Sequence, residues 1–193
     1  MKLFNRYDTS IEDVENEVAT MRRTSGNYTV RVLDVIAVSD IDASNVCTQS
    51  FLNKALVMEL ALTSVQQEMA RLFGQLPLPL VRRCAGHMFA GFSQLHSMGI
   101  LHRDVKPDSI LLRVNDAGAT QAVLADFGSC LALRPAVPRP LTRKVCTSWY
   151  RPPELFGPAA TRTYGSEVDI WSVGCVLGEM LLGQPLFKFD SED

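Results

Sequence analysis

The chain is poor in paired cysteine, in histidine and in surplus charge, and each shortage removes a class of function. Its five cysteines, Cys47, Cys84, Cys130, Cys146 and Cys175, are odd in number and scattered, with no C-x-x-C spacing. That pattern argues against a disulfide framework or a thiolate metal site, and for reduced thiols in a cytoplasmic or nuclear protein. The three histidines do not pair at ligand spacing either. His87 and His96 fall in an apolar helical stretch and read as packed or half-exposed side chains rather than functional ones. No window is long and apolar enough to span a bilayer. Residues 1–8 turn acidic without an apolar run, which is not a secretory signal. A net charge of −2 gives no reason to expect a nucleic-acid or membrane partner. Internal repeats and low-complexity tracts are missing as well.

What is present fits one domain. A chain of 193 residues can bury ~70% of its unfolded surface. Residues 11–24 place Ile11, Val14, Val18 and Met21 about one helical turn apart, the mark of an amphipathic helix. Residues 28–37 and 55–60 are rich in β-branched and aliphatic side chains and read as strands around a polar loop at 39–45. A short helix is expected over 64–73, ended by Gly74. A longer one is expected over 80–98, ended by Gly99, with its apolar stripe serving as core. Residues 110–112 and 122–124 flank the turn signal Asn115-Asp116-Ala117-Gly118, which predicts a hairpin. Residues 129–161 are proline- and arginine-rich and aperiodic, so a long functional loop is expected there. Residues 168–182 are apolar nearly all round, with Ser166 as N-cap and Gly183 as terminator, a pattern suited to the middle of a core. The fold class is therefore α+β with helices dominant.

Four blocks carry the chemistry. His102-Arg103-Asp104-Val105-Lys106-Pro107 comes first, then Asp126-Phe127-Gly128, then Trp149-Tyr150-Arg151-Pro152-Pro153-Glu154, and last Asp169-Ile170-Trp171-Ser172-Val173-Gly174. Each short string recurs by chance; all of them in this order do not. The chain resembles a protein kinase, and within that family the cyclin-dependent kinases and their relatives (the CMGC group). The narrower resemblance rests on Leu76-Pro77-Leu78-Pro79-Leu80, on Trp149-Tyr150-Arg151 and on Leu186-Phe187 with Asp190-Ser191-Glu192.

The resemblance implies ATP and Mg2+ as cofactors and phosphoryl transfer to serine or threonine of a protein substrate, with a possible cyclin-like regulatory partner. Such transfer needs an oriented nucleophile, a held triphosphate and neutralised charge. It makes Asp104 the base that accepts the hydroxyl proton and Lys106 the point charge at the transferring phosphoryl. Asp126 becomes the magnesium carboxylate, with Ser109 at the position of a second metal ligand. Lys2 and Glu17 take the positions of the strand lysine and helix glutamate that hold the α- and β-phosphates. Glu59 and Ala61 would form the hinge whose backbone meets adenine, beside Met58 as gatekeeper and with Leu111 among the ATP-binding residues. Thr142 falls at the activation-loop phosphoacceptor, with Arg103 to pair its phosphate. Thr147 matches the residue that marks serine/threonine kinases. Arg151 and Cys146 shape the pocket for a proline after the target residue. Residues 1–61 would be a partial small lobe and residues 62–193 a partial large lobe.

The pattern also breaks. No G-x-G-x-x-G is present; the chain opens at the family's third strand, and it stops after the apolar helix. It is expected to be the central part of a kinase domain lacking both ends. Ser109 replaces the usual asparagine, and a hydroxyl is the poorer ligand. Asn16 and Leu131 stand where the phosphothreonine pocket has arginines, Pro152 stands where alanine is usual, and the arginine partner of Glu154 is missing. The sequence by which cyclins are recognised is absent around Glu17. These departures support a second reading, a catalytically impaired pseudokinase acting as an interaction module.

Overall fold

The structure is a computed structural model and describes residues 1–5, 10–37, 51–132, 147–156 and 165–188. Strand β1 (Lys2–Asn5) leads to helix α1 (Ile11–Arg23). The Ser10 side chain accepts from Asp13 N at 3.1 Å, and the Asp13 carboxylate accepts from Ser10 N at 2.8 Å, a reciprocal cap that starts the helix at Ile11. Val14, Val18 and Met21 bury one face of α1, and Glu17 is buried on that same face. Strands β2 (Val32–Ala37) and β3 (Phe51–Met58) complete a three-stranded antiparallel sheet in the order β1-β3-β2. Lys2 lies opposite Leu56 on the central strand.

The strand expected over 28–37 begins only at Val32. Upstream of it, Val30 N donates to Leu124 O and Leu124 N donates to Tyr28 O, both at 2.8 Å. Residues 28–30 thus direct backbone groups to a strand of the other sheet. The strand expected over 55–60 starts earlier, at Phe51, and ends at Met58. The polar loop expected at 39–45 lies outside the described residues.

A second sheet has the order β4-β6-β7, from β4 (Thr63–Ser64), β6 (Ile110–Val114) and β7 (Thr120–Leu124). The hairpin turn is closed by Asn115, whose Oδ1 accepts from Ala117 N at 3.1 Å and Ala119 N at 2.9 Å. Ser64 and Gln67 form a second reciprocal cap, at the start of α2 (Val65–Arg71). Helix α3 (Leu78–Ser97) begins two residues earlier than its apolar pattern suggests. Its second residue is Pro79, and a first-turn proline withholds an N–H that has no helical partner anyway. Two residue pairs join β5 (Ile100–Leu101) to β8 (Leu131–Ala132). This pairing and short 3-10 turns at Ser148–Tyr150 and Pro153–Leu155 are the order found in the described part of 129–161.

The apolar helix expected over 168–182 is α4 (Glu167–Leu182). It buries Val168, Val173, Val176 and Met180, but Ile170, Trp171, Leu181 and Leu182 are exposed, so its apolar residues are packed on one side only. Trp171 stacks on Phe187 with ring centroids 5.7 Å apart. Ser166 stands at the N-cap with helical dihedrals and makes no side-chain cap bond. One apolar core joins the elements: Met21 from α1, Leu56 from β3, Met88 and Phe92 from α3, Leu124 from β7, Phe127, and Val176 of α4. No described helix is long and apolar enough to cross a membrane.

Candidate active site

The first cluster gathers around Lys2. Its Nζ donates to Glu17 Oε1 at 2.7 Å and Oε2 at 3.0 Å, and to Asp126 Oδ1 at 3.0 Å. Strand, helix and the loop after β7 each contribute one member, across 124 residues of sequence for Lys2 and Asp126. Asp126 adopts φ +62°, an uncommon backbone for a non-glycine residue. Two residues on, a Cβ on Gly128 would lie 3.2 Å from Glu17 Oε2, so a larger residue would press on the Lys2–Glu17 pair. Lys2 and Glu17 shift the same way for opposite reasons. Burial alone would lower the Lys2 pKa, but the Glu17 and Asp126 carboxylates outweigh it and raise it above the usual lysine range. Burial raises Glu17 above the ordinary glutamate value even though Lys2 opposes it. For Asp126 burial is again adverse, but Lys2 and then Lys106 hold the carboxyl below its usual value.

The second cluster is the loop after β5. Asp104 Oδ2 accepts from Lys106 Nζ at 2.6 Å, and its Oδ1 accepts from Thr147 Oγ1 at 3.1 Å and Thr147 N at 3.2 Å. Base candidate, lysine and serine/threonine marker therefore touch. Ser109 Oγ accepts from Lys106 N at 3.0 Å and donates to Lys106 O at 2.9 Å, and the residue is 1% exposed. The clusters are joined: His102 Nε2 meets Ala125 O at 2.9 Å, and Ala125 N donates to Ser109 O at 2.9 Å. Since Asp104 N donates to His102 Nδ1, the imidazole carries its proton on Nε2 and donates to Ala125 O.

Asp169 organises this loop, a role its motif did not disclose. It is fully buried; Oδ2 accepts from His102 N at 2.9 Å and Oδ1 from Arg103 N at 2.8 Å. His96 Nε2 is 2.8 Å from Oδ2. Thus His96, read from the sequence as packed or half-exposed, is a partner of the residue that holds the loop after β5. Arg103 sits at φ +66°, and the two backbone bonds to Asp169 hold it there. Its Nε also donates to Ser129 O at 2.7 Å. Behind the loop, Tyr150 Oη donates to Glu179 Oε2 at 2.8 Å, and Ser172 Oγ donates to Tyr150 O at 2.7 Å. Burial, with Asp108, raises the Glu179 carboxyl above its ordinary value, and burial raises Tyr150 as well.

At the expected hinge, Glu59 N donates to Arg31 O at 3.0 Å. Its side chain turns to Arg113, whose guanidinium also donates to Gln121 Oε1 at 3.1 Å and Asn27 O at 3.0 Å. These residues and Arg31 line a polar cavity of about 640 Å³ that includes none of Lys2, Asp104, Lys106 or Asp126. Ala61, Met58 and Leu111 are half-buried; Leu111 pairs with Val123 and Ser64. The Arg151 guanidinium lies over the Phe156 ring, 5.4 Å from its centroid. Thr142 and Cys146 lie outside the described residues, as does any phosphate contact of Arg103 to Thr142.

Among the described residues no three histidine, cysteine or acidic side chains cluster as a metal cage. A magnesium ion held by one protein carboxylate beside nucleotide oxygens and water would have its common coordination. Asp126 fits, with a side chain 42% exposed. Ser109 fits poorly, because its buried hydroxyl already holds Lys106 at both the N–H and the carbonyl.

The family model described as "Protein kinase domain" matches residues 1–193. The chain belongs to the protein kinase family. It is also 40% identical over 119 residues to the "Probable cell division protein kinase" of Encephalitozoon cuniculi (strain GB-M1). That match covers 62% of this chain and 35% of the relative, so it spans about a third of the relative's length.

Proposed function

We propose that the protein transfers the γ-phosphoryl group of ATP to serine or threonine hydroxyls of a protein substrate. The observation that carries this reading is Asp104, held on one oxygen by Lys106 and on the other by Thr147. A carboxylate so fixed orients a hydroxyl and accepts its proton as the new bond forms. Magnesium-bound ATP, when present, supplies the phosphoryl group and the cation that offsets its charge. Lys106 neutralises charge at the transfer point. Lys2, fixed by Glu17, lies where α- and β-phosphates are held, and Asp126 offers the metal carboxylate. Residues 1–61 are then the upper wall of the nucleotide cleft and residues 62–193 the lower, with Glu59 and Ala61 meeting adenine through the backbone and Leu111 beneath it.

The finer reading is a cyclin-dependent-like kinase that prefers proline after the target residue, with Arg151 in the proline pocket and Thr142 as its phosphorylation site paired to Arg103. Proline suits a pocket that would leave an ordinary N–H unsatisfied. A cyclin-like partner fits the same group. The engaged hydroxyl of Ser109 favours a second reading, a kinase weakened at its metal site that works chiefly by interaction. Phosphate transfer to matched Ser-Pro and Ser-Ala peptides tests the first. Preference for Ser-Pro is expected; equal labelling would overturn the proline preference. Labelling of neither would favour the second reading.

A further inference from the structure

His87 lies outside both clusters, yet it is tied to the strand that leads into Asp126. Its Nδ1 accepts a hydrogen bond from Ala122 N on β7 at 3.1 Å, and its ring stacks on Tyr28 with centroids 5.4 Å apart. Ala122 is 2% exposed, so its N–H depends on an acceptor within the protein. The surroundings leave little slack. A Cβ on Gly91, one turn further along α3, would lie 2.9 Å from Leu124 Cδ1 and 3.2 Å from Tyr28 Cβ. Tyr28 is itself bonded through its carbonyl to Leu124 N at 2.8 Å. From there β7 runs straight to Ala125, which bonds His102 and Ser109, and to Asp126.

We infer that His87 is a positioning residue whose neutral imidazole holds β7, and through it Asp126, and that protonation releases this hold. With Nδ1 as acceptor the ring proton is on Nε2. A second proton would sit on Nδ1 and face the Ala122 N–H, donor against donor. The neighbours do not favour that proton. Arg83 lies one turn earlier on α3; the segment before β2 contributes the Tyr28 ring; Thr120–Leu124 of β7 carries no ionisable side chain. Burial first, and then the Arg83 charge, lower the His87 pKa from its ordinary value. A histidine lowered in the folded state stabilises above its unfolded value of about 6.5, and that contribution is lost as pH falls through it toward the folded value.

The hold on β7 is independent of the proposed phosphotransfer; its consequence for Asp126 rests on that reading. Two variants separate the terms. His87→Asn puts an acceptor oxygen on the same branch atom without a titrating ring, and His87→Phe keeps a stacking ring without an acceptor. Thermal unfolding is followed from pH 7.5 to 5.5 for all three proteins. The wild type is expected to lose about 2–4 °C relative to His87→Asn over that range, and to exceed His87→Phe at pH 7.5 by a similar margin. An unchanged difference between wild type and His87→Asn across the range would overturn the inference. In a phosphotransfer assay the ratio of His87→Asn to wild-type activity should rise on acidification, and taking the ratio cancels the ionisation of the nucleotide. Inactivity of every protein would count against the kinase reading and leave the unfolding result to decide the role of His87.

Discussion

Replacing Asp169 by asparagine probes the device that holds the loop carrying Asp104. The carboxylate receives three donors: His102 N at 2.9 Å, Arg103 N at 2.8 Å and His96 Nε2 at 2.8 Å. The amide keeps one oxygen. Its less costly orientation leaves that oxygen to His102 and His96 and turns the NH2 toward Arg103 N, donor against donor. A hydrogen bond to a charged group contributes about 1.5–3 kcal/mol, and the two that remain weaken when the charge is removed. Asp169 is fully buried, so water does not replace the lost partner. A total loss of about 2–4 kcal/mol follows, or about 5–15 °C in Tm for a chain of this size. Arg103 then loses a bond that keeps it at φ +66°, a conformation costing roughly 1–3 kcal/mol, and relaxation there displaces the adjacent Asp104. Urea unfolding measures the first effect, and phosphate transfer at a temperature where the variant is folded measures the second, expected to fall at least about tenfold. A variant within about 0.5 kcal/mol of wild type and of equal activity would refute the role given to Asp169.

Two further outcomes follow from particular side chains. Burial pushes the Cys84 thiol up to about 11, so peptide mapping after iodoacetamide at pH 7.5 should find Cys84 unlabelled in the native protein and labelled in urea; rapid native labelling would contradict its packing. Ser109→Asn should strengthen magnesium-dependent ATP binding by about fivefold, roughly 1 kcal/mol, in calorimetry, and unchanged or weaker binding would show that the Lys106–Ser109 bonds matter more than the missing ligand.

The site was legible where chemistry is local in the chain. Asp104 and Lys106 are two residues apart, and their contact repeats what the motif implies. Lys2 with Glu17 and Asp126 required a resemblance to bring together, since no spacing rule spans the separation between them. Asp169 and His96 were hidden for a different reason. Asp169 heads the fourth sequence block, but no sequence pattern tells that a buried carboxylate there accepts backbone N–H groups from a loop 66 residues away. Helix positions followed from apolar spacing and terminating glycines, and the reciprocal caps of Ser10 with Asp13 and Ser64 with Gln67 then fix where two of them begin. The apolar pattern all round α4 does not by itself tell which of its sides is covered, because it records composition and not neighbours. The start of β2 was misplaced because residues 28–30 bond to Leu124, a tertiary contact that strand propensity does not register.

The central claim is that Asp104 and Asp126 are the working carboxylates of a phosphoryl-transfer site. Its most direct test follows labelled γ-phosphate from ATP into a serine/threonine peptide, comparing wild type with Asp104→Asn and Asp126→Asn purified free of other kinases. Magnesium-dependent transfer by the wild type, reduced at least about a hundredfold in both variants, is the expected result. Transfer at equal rates by wild type and Asp104→Asn would contradict the account.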